Sequence, residues 1–318
     1  MKRIEVIVAY KFSTKLESWI EQRKMSRKDL IALLQCEYYD IFEGLDLITL
    51  SRWVNGKSTP PLYKQLYVAK VLGVNIVDII KEIDVLKQKS SNKAMAAVNL
   101  ISKALDFSIS SFSYVKLPEV IFSEVIELKG KAYNDVFGDF YKNIVSFRDF
   151  NQFLSDKDIS YFALLLKNED GLIVGHWSGI ANLEAIDDIS HLLKIDNDEL
   201  KKSVLVKPGY YTSSKHYFEL ICVAICYYLL NYAKEKDYAY FFIVDFQPML
   251  SFCKIVFEAE EVKYYRNSDN KMGVYLMRFN IIKAISNPVV IKDVQARLLC
   301  LSNCDGKCKQ CNLKSFLN

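Results

Sequence analysis

Four thiols stand within twelve residues near the end of the sequence, at Cys300, Cys304, Cys308 and Cys311. Thiolates that converge this closely are ligands for a soft metal. Gly306 allows a tight turn between them, and Lys307 and Lys309 offset thiolate charge. An iron–sulfur cluster is the first expectation for such a loop, with zinc in a closed four-thiolate site as the alternative and a metal-free redox switch as a third. The other cysteines, Cys36, Cys222, Cys226 and Cys253, are expected as small buried residues.

A second candidate site is Tyr211-Thr-Ser-Ser-Lys-His216, at the start of an expected long helix. Ser213, Ser214 and Lys215 can hold an anion against a helix N-terminus, although no glycine is present to let the backbone approach a phosphate closely. His216 with Tyr264 or Tyr265 has the residue types for base and acid. With 20 tyrosines in the chain neither is singled out, and no catalytic residue is assigned. His176 beside Trp177 is read as part of a strand face and His191 as part of a polar segment.

The third set lies early in the chain, where Asp46 to Pro61 reads as a short helix, a glycine stop and a proline restart. Asp46 caps the helix, Leu50 and Trp53 form its buried stripe, and Gly56 supplies the left-handed residue after the last turn. Thr49, Arg52 and Asn55 face the other way. Upstream, Ser26 and Asp29 make a capping box before Leu30, Leu33 and Leu34; downstream, Leu62, Leu66 and Ala69 continue the helical pattern to Gly73, and a last helix runs from Asn75 to about Ile83.

The run Leu50-Ser-Arg-Trp-Val-Asn-Gly-Lys57, with Pro60 and then Ala69-Lys-Val-Leu-Gly-Val74, resembles the phage-repressor (XRE/Cro) helix-turn-helix family over roughly residues 14 to 83. The resemblance implies operator binding to double-stranded DNA by a dimer, with half-sites about one DNA turn apart. It places Leu47, Ile48 and Arg52 at the base-reading positions, with Thr49, Ser51 and Asn55 beside them. Leu47 and Ile48 offer no bidentate hydrogen bonds and suit thymine methyls, so Arg52 is the expected guanine reader. Lys57, Ser58 and Thr59, with Arg27 and Lys28, are the expected phosphate contacts. Residues 1–83 carry 13 Lys and Arg against 10 Asp and Glu, a weakly basic balance. The segment Cys36 to Leu45 is longer than the usual turn.

These sites need a scaffold, and the composition supplies one. The chain has 318 residues, 51% hydrophobic and 25% charged, with net charge +4, which describes a globular protein of two or three domains. The sequence holds no run of apolar residues long enough for a membrane span and no export signal, so a cytoplasmic location is expected. A polar linker over 85–93 precedes a helix over 94–105 with Ala97, Leu100, Ile101 and Leu105 on one stripe. Ser108 to Ser113 reads as a loop or irregular strand. A helix is expected around Glu119 to Tyr133, then a hairpin over Tyr161 to Gly179 around Asp170-Gly171. A strand over 203–207 stops at Pro208, Tyr217 to Glu235 is a buried helix, Tyr240 to Asp245 a central strand, Met249 to Phe257 a short helix, and Gly273 to Phe279 a last strand.

That order resembles the GNAT acyltransferase fold, with Phe257-Glu258 standing where many members carry a Gly-Phe-Glu turn. The resemblance covers about half the chain and implies acyl-CoA at Ser213, Ser214 and Lys215; it also extends to the branch that makes acyl-homoserine lactones or N-acyl amino acids. The expected fold class is multidomain: an all-α helix-turn-helix domain over 1–83, a linker and connecting helix over 84–116, an α/β (α+β) GNAT-like domain over 117–285, and a cysteine-rich tail over 286–318. The expected function is a DNA-binding transcription regulator that senses redox state or a ligand. The alternatives are an acyl-CoA or acyl carrier protein dependent N-acyltransferase with an attached helix-turn-helix, and an antirepressor that binds another repressor.

Overall fold

The structure is a computed structural model whose described residues are 10–109, 121–155, 157–266 and 273–304. The chain divides into two compact units, residues 1–89 and residues 90–318.

The first unit is helical: α1 (Phe12–Gln22), α2 (Arg27–Glu37), α3 (Tyr39–Phe42), α4 (Leu47–Val54), α5 (Leu62–Val71) and α6 (Ile76–Glu82). Its helix starts follow from capping chemistry, which satisfies N–H groups that have no partner within a helix. Ser26 and Asp29 form a reciprocal capping box, Asp46 accepts from the Thr49 N–H at 2.6 Å, and Asn75 accepts from that of Val77. Gly56 and Gly73 lie in the left-handed region after α4 and α5. Leu16, Leu30, Leu34, Leu50 and Leu66 are fully buried, and Trp53 is buried as well. The long connection after α2 contains α3, which buries Phe42. The Gln35 amide closes it by donating to the carbonyls of Phe42, Glu43 and Leu45 at 3.1, 3.2 and 3.2 Å. Cys36, expected as a small buried residue, is exposed on the outer side of α2.

The second unit opens with α7 (Asn92–Ile109), followed by β1 (Phe122–Lys129), α8 (Gly130–Lys142), α9 (Arg148–Ser155) and the hairpin β2 (Ser160–Lys167) and β3 (Ile173–Ile180). Then come α10 (Ile189–Leu193), α11 (Asn197–Lys201), β4 (Ser203–Val206), β5 (Tyr210–Tyr211), α12 (Ser214–Asn231), β6 (Tyr238–Val244), α13 (Gln247–Val256), β7 (Glu260–Tyr265), β8 (Val274–Asn280), α14 (Ile281–Ile285) and α15 (Pro288–Asn303). The strands form one mixed sheet in the order β1-β2-β3-β4-β6-β8-β7, with β5 paired to β3. Every pairing is antiparallel except β4 with β6. Tyr133, Phe137 and Tyr141 of α8 and Phe150 and Leu154 of α9 share one core with Tyr161, Leu205, Tyr240 and Phe242 of the sheet. α12 packs on the other face, with α7, α13 and α15 around it. Apolar residues nearly surround α12, as a helix covered on all sides requires.

The hairpin, the strand ending before Pro208, the long helix, the buried strand, the short helix and the last strand thus follow the expected order in a mixed α/β arrangement. Three expectations need correction. Residues 122–129 form an edge strand rather than a helix, because pairing with β2 overrides a helix-compatible composition in which only Ser123 and Val125 are buried. On α7, Ala97, Ile101 and Leu105 are buried but Leu100 is exposed. Where a separate tail was expected from residue 286, α15 packs on α12 through Val294 and an Arg297–Glu219 ion pair. Most of the 108–113 segment lies outside the described residues. No helix among the described residues is long and apolar enough to cross a membrane.

Candidate functional site

Pairing between the two parallel strands ends at Val206 with Phe241, while β6 runs on to Val244. Two local features turn the chain away from β6 at this point. The Lys207 N–H donates to Ser178 O of β3 at 2.8 Å, and Pro208 has no N–H to give. Gly209 then passes so close to Trp177 that a Cβ there would lie 1.7 Å from Cδ1 of its ring, so only glycine fits. The strands therefore part, and the opened edge of β6 faces a gap rather than a neighbour.

An apolar cavity of about 130 Å³ lies at this parting, under α12. β4 contributes Val204 and Val206, β6 contributes Ala239, Phe241 and Ile243, and α12 contributes Ile221, Ala224, Ile225 and Tyr228. Its lining on β6 runs from Ala239 to Val244, roughly 16 Å of strand at about 3.3 Å per residue. Trp177 and Met249 stand at one end, and Tyr232 and Ile281 at the other. An elongated space with few polar atoms suits an unbranched hydrocarbon chain, whose burial is worth about 0.8 kcal/mol per methylene. A second cavity of about 350 Å³, lined by Glu127, Ser160, Asn182, Glu184, Glu235 and Lys236, shares Phe162 and Tyr232 with the first.

The expected phosphate site is at the start of α12, and it is engaged from within the chain. Ser213 caps the helix by accepting from the His216 N–H. The Ser214 N–H and hydroxyl both donate to the Asp106 carboxylate of α7, each at 2.8 Å. Asp106 thus supplies the anion that a helix N-terminus favours. Lys215 is exposed. His216 is buried with Nδ1 2.7 Å from the Thr212 hydroxyl, and its pKa is held below the ordinary value by burial and then by Lys215. Tyr264 donates to Asp245 at 3.2 Å, while the buried Tyr265 hydroxyl has no hydrogen-bond partner among the described residues and is pushed up to about 12 by burial. The expected acid and base candidates do not meet: His216 heads α12, whereas Tyr264 and Tyr265 lie on the edge strand β7.

On the face away from α12, a polar group that the sequence reading did not single out sits among aromatic rings. The Lys207 amine donates to Asn151 Oδ1 at 2.7 Å and lies 3.9 Å from the ring centroid of Tyr141 and 4.5 Å from that of Tyr133. Burial without a carboxylate partner pushes its pKa well below that of a free lysine. The Tyr133 and Tyr141 hydroxyls share Ser178 Oγ at 2.6 and 2.8 Å. Burial, then the neighbouring Lys207, lowers His176 to about 4. The available sequence signal was a lysine in the apolar run Val204-Leu-Val-Lys-Pro208, one residue before a proline.

No family model matches the sequence, and no curated protein matches it. Among solved structures, one titled a crystal structure of TofI in a ternary complex with an inhibitor and MTA is 13% identical, with a TM-score of 0.35 over 55% of this chain and 98% of that one. A second, titled a putative phosphinothricin N-acetyltransferase, is 7% identical, with a TM-score of 0.27 over 61% of this chain and 96% of that one. The parting of β4 and β6 is observed in this chain directly and stands without them.

In the first unit, α4 carries Leu47 and Ile48 exposed at its start, the latter 71% exposed, and Arg52 one turn on. Asn55, Lys57 and Lys28 are exposed, and Thr49 and Ser58 half-buried. The half-buried Arg27 donates from its guanidinium to Ser51 Oγ at 2.9 Å and ties α2 to α4. Of the four clustered cysteines, Cys300 sits in the last turns of α15 and Cys304 caps it, so the sequence here continues a helix rather than a loop. Cys308 and Cys311 lie outside the described residues. No group of three or more metal-ligating side chains occurs among the described residues.

Proposed function

We propose that the second unit is an acyltransferase that takes an unbranched acyl thioester and passes its acyl group to an amine. The observation that carries this is the apolar cavity at the gap where β4 and β6 part. An acyl chain lying under α12 brings its thioester carbon to that gap, where the free edge of β6 offers backbone groups to orient it. Asp106 at the start of α12 competes with a donor's phosphates for the same N–H groups, so the acyl chain supplies the larger share of donor binding and Ser213, Ser214 and Lys215 the smaller.

The test is calorimetric binding of palmitoyl-CoA to the full chain, together with thiol release when an amine is added. Micromolar binding that Ala224→Trp abolishes by filling the cavity is the expected result. Heat-silent titration with no thiol released overturns the reading.

A second reading concerns the first unit, and the exposed start of α4 favours it. We propose that this unit reads double-stranded DNA through Arg52, with Leu47, Ile48, Thr49, Ser51 and Asn55 on the same helix and Lys57, Ser58 and Lys28 at phosphates. Dimerisation would present two such helices to adjacent half-sites. Arg52→Ala should then cost about 1–3 kcal/mol at one base position in selected DNA sites, whereas unchanged site preference overturns the assignment. We further propose that Cys300, Cys304, Cys308 and Cys311 ligate an iron–sulfur cluster, or zinc. Absorption and metal content of protein purified without oxygen, against a Cys304→Ser and Cys308→Ser variant, decide it. Binding to another repressor is tested by co-purification, and a cytoplasmic location by cell fractionation.

A further inference from the structure

The apolar cavity under α12 ends, away from the gap, against the second cavity. Phe162 of β2 and Tyr232 line both spaces and therefore form the partition between them. The two sides of this partition differ in kind. On one side Ala239 and Ile281 belong to an apolar lining. On the other the space is a surface groove, and Glu127, Ser160, Glu184 and Glu235 in its walls are exposed.

Tyr232 is held where it stands. It caps the end of α12, and its N–H donates to Tyr228 O at 2.8 Å. Its ring meets that of Tyr227 edge to face at 5.5 Å between centroids, and Tyr227 packs in turn on Phe162 at 5.4 Å. The Tyr232 and Tyr227 hydroxyls are 3.2 Å apart, and that of Tyr227 donates to Glu127 at 3.4 Å. The chain beyond is fastened as well: the Tyr228 hydroxyl donates to Lys236 O at 2.6 Å, and the buried Lys236 amine donates to Lys201 O at 2.7 Å. The partition thus satisfies its hydroxyls among themselves and with a carboxylate of the groove, while its ring carbons line the apolar side. A tyrosine, apolar in body and polar at its tip, suits such a boundary.

We propose that Tyr232 is the stop that fixes how long an acyl chain the cavity accepts, an assignment that rests on the acyl-transfer reading above. With the thioester carbon at the gap, the chain runs under α12 toward Tyr232, and its terminal methyl group ends against that ring. Each methylene buried short of the ring raises affinity about fourfold. A methylene beyond it would have to displace a hydrogen-bonded ring or enter a groove lined by charged side chains, and it adds nothing. The donor is accordingly a straight-chain acyl thioester of bounded length.

The experiment is calorimetric binding of the even-numbered saturated acyl-CoA series from octanoyl to eicosanoyl, each below its micellar concentration. It is run on the full chain and on its Tyr232→Ala and Tyr232→Trp variants. Wild-type affinity should climb about fourfold per methylene and stop climbing within the series. The climb should continue for at least two more carbons in Tyr232→Ala, which opens the partition, and end at least two carbons sooner in Tyr232→Trp, which thickens it. Opposite shifts from one position are not what a general loosening of the fold produces, and Tyr232→Trp alone decides the matter if the alanine variant does not fold. A folded variant that keeps the wild-type stopping length, or a wild-type climb that runs through the whole series, overturns the stop and leaves acyl transfer intact. A wild type that binds no member of the series overturns the acyl-transfer reading, and the stop with it.

Discussion

His176 is an imidazole kept neutral inside the fold, at about 4 against an ordinary 6.5, by burial and by the nearby lysine. Between those values the unfolded chain holds the extra proton, so this group's contribution to stability is full above about pH 6.5 and is lost as pH falls toward 4. The amount is on the order of 3 kcal/mol. His176→Phe keeps a ring against Phe137 and Phe140, each 4.8 Å away by centroid, and removes the titration. Urea midpoints measured at pH 7 and pH 5 should therefore separate less in the variant than in the wild type, and equal separations would show that the imidazole is not the sensitive group. Gly209→Ala places a methyl group inside the Trp177 ring and should lower stability by about 1–3 kcal/mol, read as a lower melting temperature. Neither residue was legible as special beforehand. A histidine beside a tryptophan is an ordinary strand pair, and the environment that shifts it comes from α8, which meets β3 only in the folded chain. Lys207 left a trace, a charge in an apolar run, but the rings around it are supplied by residues 46 to 74 positions away in the chain.

The short helices and capped starts of the first unit were legible because each depends on two or three neighbouring residues, as at Ser26 with Asp29 and at Asp46 with Thr49. The connection after α2 was visible only as excess length, since what orders it is the Gln35 amide reaching seven to ten residues ahead. Gln35→Ala removes the side-chain amide from which all three carbonyls accept. It should destabilise this unit by about 1–2 kcal/mol, measured by chemical denaturation, and an unchanged midpoint would show that α3 is held by Phe42 packing alone. Strand β1 was misread for the opposite reason. Its composition suits a helix, and the deciding contact is pairing with a strand 38 residues downstream by the register Phe122 with Lys167 to Lys129 with Ser160. Long-range pairing of this kind leaves little imprint on an edge strand whose outer residues face water. The hairpin of β2 and β3 was easier, because Gly171 and the Asn168 side chain fix its turn locally.

Each of the two units has its own buried core, and a compact core with capped elements is the minimum for independent folding. Residues 10–89 expressed alone should give a helical circular-dichroism spectrum with a cooperative thermal transition; a featureless spectrum would mean that the first unit depends on the second. The division near residue 89 follows from a polar stretch that the sequence displays openly, whereas the inclusion of α15 in the second unit does not. Four cysteines dominate the reading of residues 286–318 as a separate tail, yet α15 buries Val290, Ile291, Val294 and Leu298 and packs on α12. Trp177, finally, has a use unrelated to its packing against Gly209. It is the one tryptophan in residues 90–318, Trp19 and Trp53 both lying earlier, and it borders the apolar cavity. With Trp19 and Trp53 each replaced by phenylalanine, the indole emission of the full chain comes from the cavity wall alone, and its wavelength reports whether water or hydrocarbon fills the space beside it.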